Sequence, residues 1–592
     1  MNRFLFSLFV FWGALVVVSA QNPMVHSHND YLQEVPFWGA LHAGAASVEA
    51  DVVLQDRELF VAHAKAEIKT GRTLESLYLD PLNKAVALGM VGDRPLQLLI
   101  DIKTDAVKTL KQIVHSIKKY PAILERKNIV FVISGNQPEP SEYDQYPGFI
   151  FFDYQALKDL SPRQWDRVAL ISTDYKKYAQ WNGKGRFTHT DLQKVKEVIG
   201  KAHRFNKPFR FWGTPDSKSA WKIFTDLGVD FINTDEPFSC VTYVNSLKDR
   251  VFTNSVFSEV YTPTFESDRK DEKVRNVILL IGDGNGLTQI SSSALANNGQ
   301  LSLTRLKSIG LIKTSSADDF TTDSAAAGTA IAIGEKTNNR AIGVNTANEP
   351  VPNICEILSP RGFNTAVITT DQITGATPAA FYAHQKDRDM TAAIAHDLQE
   401  SNLTLFAGGG KRDFAGITGF SIVDSPAAIS HNRSDRVGYF MSERGVPAVL
   451  EGRGDLLPEV VDHSLKFLKS RNKPFFAMIE GAQIDSYGHF NNVAGIVTEG
   501  IDFDRAIGKA LRFADETPGT LVIITADHET SGFSIPQGNI DRHVVEGDFT
   551  TNDHTATMVP VFAYGPRSGE FTGVYENNEI FSKILKVLDH NP

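Results

Sequence analysis

The chain has 592 residues, 42% of them hydrophobic and 22% charged, a globular balance that excludes disordered, collagen-like and coiled-coil classes. Its formal charge of −10 argues against a general nucleic-acid binder, whose affinity rests on Lys and Arg neutralising phosphates. The two cysteines, Cys240 and Cys355, are too few for a disulfide scaffold or a thiolate zinc cluster, and they lie too far apart in sequence to be expected to pair.

In chain order, residues 1–20 carry Arg3, an uncharged apolar run over 4–18, then Ser19 and Ala20. That is the layout of a secretory signal cut after Ala20. The run is short of the ~20 apolar residues a membrane-spanning helix needs, and no later stretch reaches that length. No Cys follows the cleavage site to take a lipid. The expectation is an exported, soluble protein of the periplasm or the medium. The polar, charged stretch 262–273 reads as a linker between 21–261 and 274–592. The first piece is close to the ~250 residues of a (β/α)8 barrel. Short β-branched runs alternate with amphipathic stretches in both halves, which predicts parallel sheets with crossover helices. Strands are predicted at 96–100, 128–133, 149–152, 277–281, 365–368, 474–478 and 521–525. Several end in a polar cluster, where α/β enzymes place their chemistry.

The N-terminal half opens with His26-Ser-His28-Asn-Asp-Tyr31, followed by Glu49-Ala-Asp51, His63 and Asp101-Ile-Lys103. Glu49 and Asp51, two apart on a strand, share one face. Facing carboxylates repel unless a cation sits between them, and hard oxygen donors suit Mg²⁺ or Ca²⁺. Asp101 at another strand end would be a third ligand, and two histidines could act as acid and base on a phosphate ester. Spacing alone leaves open which of His26 and His28 is used. The order His, E-x-D, His, acidic-Ile-Lys resembles the phospholipase C-like phosphodiesterase superfamily, which contains the glycerophosphodiester phosphodiesterases. The likeness runs over about 24–245 and includes Phe211-Trp-Gly-Thr-Pro-Asp216 and the segment from Gly228 to Pro237. It implies that His28 and His63 are the catalytic pair, that Glu49, Asp51 and Asp101 hold one divalent cation, and that Lys103 faces the phosphate. Asn29 and Asp30 stand where that group usually has Arg and Gly, and Asp101 where it usually has Glu. The diester, and whether the product is a plain monoester or a cyclic phosphate, stay open.

In the C-terminal half, Asp283 follows a predicted strand. Thr322-Asp-Ser324 then leads into small residues that let a helix begin close to a phosphate. Serine is a weak nucleophile and needs activation. Candidate metal ligands follow: Glu480; Asp485 and His489, one helical turn apart; Asp527-His528; and His554. Such N and O donors suit a pair of Zn²⁺ ions, and two metals can activate the attacking oxygen and stabilise the leaving one. This ordered set resembles alkaline phosphatase over nearly all of 274–592. The resemblance implies Ser324 as the nucleophile that becomes phosphoserine. Asp485, His489 and His554 would hold one zinc, and Asp283, Asp527 and His528 the other. Glu480 and Thr377 would join Asp283 at a Mg²⁺ site. Arg388 would clamp two phosphate oxygens, which favours monoesters over diesters. Gly375 departs from the Asp or His that relatives carry there.

Together the halves imply an α/β protein: an N-terminal (β/α)8 barrel joined to an alkaline-phosphatase-like α/β/α sandwich with a central, mostly parallel sheet. The expected function is an exported bifunctional phosphoesterase. It would cut phosphodiesters to monoesters in the first half and release inorganic phosphate from monoesters in the second. The alternatives are a non-catalytic barrel serving as a binding or targeting module, and a barrel acting as a phospholipase D-like lyase. The expected partners are small-molecule phosphomonoesters and phosphodiesters. No nucleic acid is expected as a specific partner. The resemblance admits a homodimer, though no interface pattern stands out.

Overall fold

The computed structural model of the protein describes residues 23–414 and 416–590, so the expected signal segment lies outside the described residues. The chain divides into two compact units between Leu247 and Lys248. The stretch 262–273 belongs to the second unit. There Thr264 N donates to Asp515 Oδ2 at 3.0 Å and Arg269 Nε to Ser308 Oγ at 2.8 Å. Its polar composition marks a solvated surface strap packed on that unit.

The first unit is a closed barrel of eight parallel strands: Met24–Ser27, Ser47–Gln55, Leu96–Ile102, Ile129–Gly135, Ile150–Tyr154, Val168–Asp174, Phe209–Trp212 and Phe231–Thr234. Met24–Ser27 pairs with both Ser47–Gln55 and Phe231–Thr234, which closes the ring. Glu58–Val61 folds back antiparallel on Ser47–Gln55 and delivers His63 to the strand-end side. Register sets the interior. Glu49 stands beside Leu99 and Asp51 beside Asp101, so the side-chain alternation that buries Leu99 also turns Glu49, Asp51 and Asp101 inward. Leu99, Val132, Leu170 and Phe231 form an apolar cluster. Asp51, Asp101 and Ser134 lie one step further toward the carboxyl ends.

The second unit is built on a ten-stranded sheet. From edge to edge it runs Ser421–Val423, Val437–Phe440, Leu405–Gly409, Asn364–Gln372, Phe475–Gly481, Asn276–Gly282, Thr520–Ala526, Val559–Tyr564, Ser308–Lys313 and Gly573–Glu576. Val559–Tyr564 is antiparallel to both neighbours, and the other pairings are parallel. Central strands are buried on both faces. Ile278 and Leu280 enter one apolar core, while Val277, Leu279 and Ile281 enter the other. Four adjacent strands end together, with Thr369, Glu480, Ile281 and Thr525 level across them. The residues that follow therefore open on one edge of the sheet. Cys240 and Cys355 are both buried and free. Among the described residues no helix is long and apolar enough to cross a membrane.

Candidate active sites

Inside the barrel, donor atoms of Glu49, Asp51 and Asp101 lie within 4.8 Å of one another. Asp51 Oδ2 is crowded: Tyr31 Oη donates to it at 3.0 Å, His63 Nδ1 lies at 2.8 Å and Lys103 Nζ at 3.1 Å. Asp51 Oδ1 is buried and has no hydrogen-bond partner among the described residues. Lys103 Nζ also stands 3.2 Å from Asp101 Oδ1. Burial is the largest effect on Asp101; Lys103 opposes it, and the charges of Glu49 and Asp51 add to it. The carboxyl is pushed up to about 6. A cation among these oxygens would relieve both the repulsion and the orphaned lone pair, so the donor set fits a hard divalent ion.

The two opening histidines differ in kind. His26 is fully buried, with Nδ1 2.7 Å from Ser47 Oγ and Nε2 2.7 Å from Glu49 Oε2. Burial, then the Arg210 guanidinium packed on its ring, pushes it down to about 3, so it stays neutral. His28 sits at the mouth, its side chain 26% exposed and Nδ1 2.7 Å from Asp235 Oδ1. Burial pushes the His28 ring down, but the Asp235 hydrogen bond and the charges of Glu49 and Asp235 outweigh it, and the net shift is upward. His63 is more open, its side chain 64% exposed. Each of His28 and His63 is anchored through Nδ1 by an aspartate, which leaves Nε2 to face a substrate.

Arg210, Asp153 and Asp235 are not among the residues the sequence singled out. Arg210 NH1 donates to Glu49 Oε2 at 3.0 Å and to Asn233 Oδ1 at 3.2 Å, and NH2 to Asp153 Oδ2 at 3.4 Å. Ser134 and Ser172 also donate to Asp153 Oδ2, at 2.9 and 2.7 Å. Burial opposes ionisation of Glu49, but His26 and Arg210 outweigh it and hold the carboxyl well below the ordinary range. The signal was an arginine inside the apolar strand Phe209-Arg-Phe-Trp212, where an unpaired charge would be costly.

In the second unit, Ser324 is the first residue of the helix Ser324–Ile333. Asp323 caps that helix, its Oδ1 accepting from Ala326 N at 2.9 Å, as an aspartate at this position does. Asp323 Oδ2 accepts from Arg388 NH1 at 3.1 Å, which orients the guanidinium beside Ser324. Ser324 Oγ is 3.2 Å from His528 Nε2. His528 Nε2 in turn lies 3.3 Å from Asp527 Oδ2 and 3.5 Å from Asp283 Oδ1.

A second cluster adjoins it. The helix Gln483–His489 puts Asp485 Oδ2 3.2 Å from His489 Nε2. His554 Nε2 lies 3.2 Å from His489 Nε2 and 3.5 Å from Asp485 Oδ1. His489 Nδ1 stands 2.7 Å from the carbonyl of Asn552, and His554 Nδ1 2.9 Å from that of Thr322. A carbonyl can only accept, so each Nδ1 carries its hydrogen, and the two Nε2 atoms, the remaining donor positions for a metal, converge on one point. This outer-sphere pattern fixes the tautomer of metal-binding histidines. Donors of Asp485, His489 and His554 form one close group, and those of Asp283, Asp485 and His528 another, so Asp485 belongs to both. Gly284, at φ +67°, lets the turn after Asp283 approach this helix; a Cβ there would stand 2.8 Å from Asp485 Cα.

Among the described residues Asp283 Oδ1 and Asp527 Oδ2 are buried and accept no hydrogen bond, Thr377 Oγ1 is buried beside Glu480, and Thr369 Oγ1 donates to Glu480 Oε2. Burial, then the charge of Asp371, pushes Glu480 up to about 8; burial, then Asp485, pushes Asp527 up to about 6. Orphaned oxygens and converging imidazole nitrogens together fit divalent cations. All the residues anticipated for this half gather at the one sheet edge.

Comparison with known proteins matches different families to the N-terminal and C-terminal parts of the chain. The alkaline phosphatase family model matches residues 274–416 and 418–545. The AIM6-like phosphodiesterase domain model matches 16–90, and that of the glycerophosphoryl diester phosphodiesterase family matches 208–237. Alkaline phosphatase 4 of Bacillus subtilis is 30% identical over 437 residues, covering 57% of this chain and 95% of the relative. The solved alkaline phosphatase of the Antarctic bacterium TAB5 is 43% identical, with a TM-score of 0.51, over 55% of this chain and all of that one. A point variant of that enzyme, solved with Mg bound, is 42% identical over the same shares with the same TM-score.

Proposed function

The chain belongs to the alkaline phosphatase family, and from that premise we propose a two-site phosphoesterase that takes phosphodiesters to inorganic phosphate in two steps. The observation that carries the phosphatase step is the pair of Nε2 atoms, of His489 and His554, converging beside Asp485 next to Ser324.

In the second unit, Asp485, His489 and His554 would hold one zinc; Asp283, Asp527 and His528 the other; and Asp283, Glu480 and Thr377 a magnesium. Bound there, these ions supply the charge that activates an oxygen nucleophile and steadies the leaving oxygen. Arg388, oriented by Asp323, takes two phosphoryl oxygens in its fork. The first amides of the helix Ser324–Ile333 face the same negative charge. Ser324 Oγ attacks phosphorus and displaces the alcohol, and water then releases phosphate from the phosphoserine.

In the barrel, Glu49, Asp51 and Asp101 would hold one Mg²⁺ or Ca²⁺, which would polarise the phosphoryl oxygen. His28 and His63, fixed through Nδ1, exchange protons with the attacking and leaving oxygens through Nε2. Lys103 offsets charge on the phosphate. His26 is excluded from that role by its burial and by the Arg210 guanidinium against its ring. A monoester leaving the barrel is a substrate for the tethered second unit, which raises its effective concentration there. Export would place both sites where phosphate esters are scavenged.

The test is chemical. Zinc- and magnesium-loaded protein is mixed with a phosphomonoester, quenched in acid and digested. A single phosphopeptide containing Ser324 is expected. Turnover with no label on that peptide would contradict the serine route.

A further inference from the structure

We propose that Asp371 is the positioning carboxylate of the magnesium site, holding water on the ion in a space that the missing side chain of Gly375 leaves open. The proposal rests on the reading that Asp283, Glu480 and Thr377 hold that ion. Magnesium gives up its water reluctantly, so a site with three protein ligands keeps waters that need hydrogen-bond acceptors.

Asp371 lies near the end of the strand Asn364–Gln372, two residues after Thr369, where the pairing with Leu405–Gly409 becomes irregular. The two are linked: Thr369 Oγ1 accepts from Asp371 N at 2.7 Å and donates to Glu480 Oε2. Asp371 Oδ1 accepts from Gln372 N at 2.6 Å. Among the described residues nothing donates to Oδ2. A Cβ built on Gly375 would stand 2.1 Å from that Oδ2 and 2.9 Å from the Asp371 Cγ. A side chain at 375 would therefore displace the carboxylate of Asp371 from this position and press on the Gln372 carbonyl at 2.9 Å, so in this chain the acidic group of the pocket comes from the strand end.

Two further observations point the same way. Thr377 Oγ1, two residues past Gly375, is 1% exposed and has only the Glu480 carboxyl beside it, which marks a ligand position next to that carboxylate. Asp371 also exerts the largest charge effect on Glu480 and itself feels Arg388 and Asp485, in keeping with its link to Glu480 through Thr369 Oγ1. Acceptors of this kind behind a bound ion usually matter for affinity about 10–100-fold.

The experiment titrates zinc-loaded, magnesium-depleted full-length protein with Mg²⁺ by calorimetry and measures zinc per chain. Asp371→Asn should weaken Mg²⁺ binding by roughly 10–100-fold with zinc content unchanged. The double variant Asp371→Ala/Gly375→Asp, which returns a carboxylate from the other side of the gap, should recover most of that loss. If Asp371→Asn loses zinc as well, the double variant decides: near-normal Mg²⁺ affinity supports the role, and weak affinity overturns it. Glu480→Gln separates the two readings. Loss of Mg²⁺ in Glu480→Gln with normal affinity in Asp371→Asn overturns the role of Asp371 alone. Normal Mg²⁺ affinity in Glu480→Gln overturns the site itself, and this proposal with it.

Discussion

Replacing Arg388 measures how much of the phosphatase step rests on the guanidinium clamp. One of its donors is spent on Asp323 Oδ2 at 3.1 Å, which leaves the rest of the fork for a phosphoryl group. A hydrogen bond to a charged group contributes about 1.5–3 kcal/mol, so losing two removes about 3–6 kcal/mol from the transition state. At ~1.4 kcal/mol per decade, Arg388→Ala should lower kcat/KM for a monoester by about 10²–10⁴-fold. Lysine keeps the charge but not the fork, so Arg388→Lys should lose about 10–10²-fold. Stability should barely change, because the Asp323 cap keeps its bonds to the amides of Ala326 and Arg340. The assay is steady-state hydrolysis of an aryl phosphate, with the inhibition constant for inorganic phosphate measured alongside. Both should worsen together, and diester cleavage should be untouched. A kcat/KM for Arg388→Ala within about threefold of wild type would refute the clamp.

Other outcomes follow from the same geometry. Without metals, Glu480 and Asp527 have folded pKa values of about 8 and about 6, above ordinary values of 4.5 and 3.8, and His489 is raised from 6.5 to about 9. In each case the folded state keeps a proton that the unfolded chain releases, so stability is full at low pH and lost as pH rises. Thermal unfolding of chelator-treated protein should therefore fall from about pH 7 to about pH 9, above the range in which the downshifted His26 and His528 act in the opposite sense, with added metal recovering most at the alkaline end; a flat or rising profile over that range contradicts the cluster. Arg210→Met strips Glu49 and Asp153 of their buried cation. It should cost the barrel about 3–5 kcal/mol in denaturant unfolding, and a loss below about 1 kcal/mol would show that the arginine is not needed to hold them.

Much of both sites was legible because their residues sit at strand ends. Asp283, Glu480 and Asp527-His528 each close or follow a strand of the apolar pattern the sequence displays, and parallel neighbours in register bring them level. Glu49 and Asp51 declared a shared face by spacing alone. What stayed hidden depends on contacts across the fold. His26 and His28 look alike in sequence, and only the closure of Met24–Ser27 against Ser47–Gln55 and Phe231–Thr234 buries one beside Arg210 and leaves the other at the mouth. Asp371 is one carboxylate among many until the turn to Gly375 sets its Oδ2 where a side chain would have been. The stretch 262–273 reads as a linker because charge predicts exposure, which does not exclude anchoring of the kind that Thr264 and Arg269 provide.

The most direct measurement follows the fate of a glycerophosphodiester. Wild-type protein with its metals should release inorganic phosphate from it. Ser324→Ala should release none and accumulate glycerol phosphate, and adding His63→Ala should abolish that accumulation. No monoester from Ser324→Ala across a panel of glycerophosphodiesters, with wild type still cleaving monoesters, would contradict a catalytic barrel and leave a single active site in the chain.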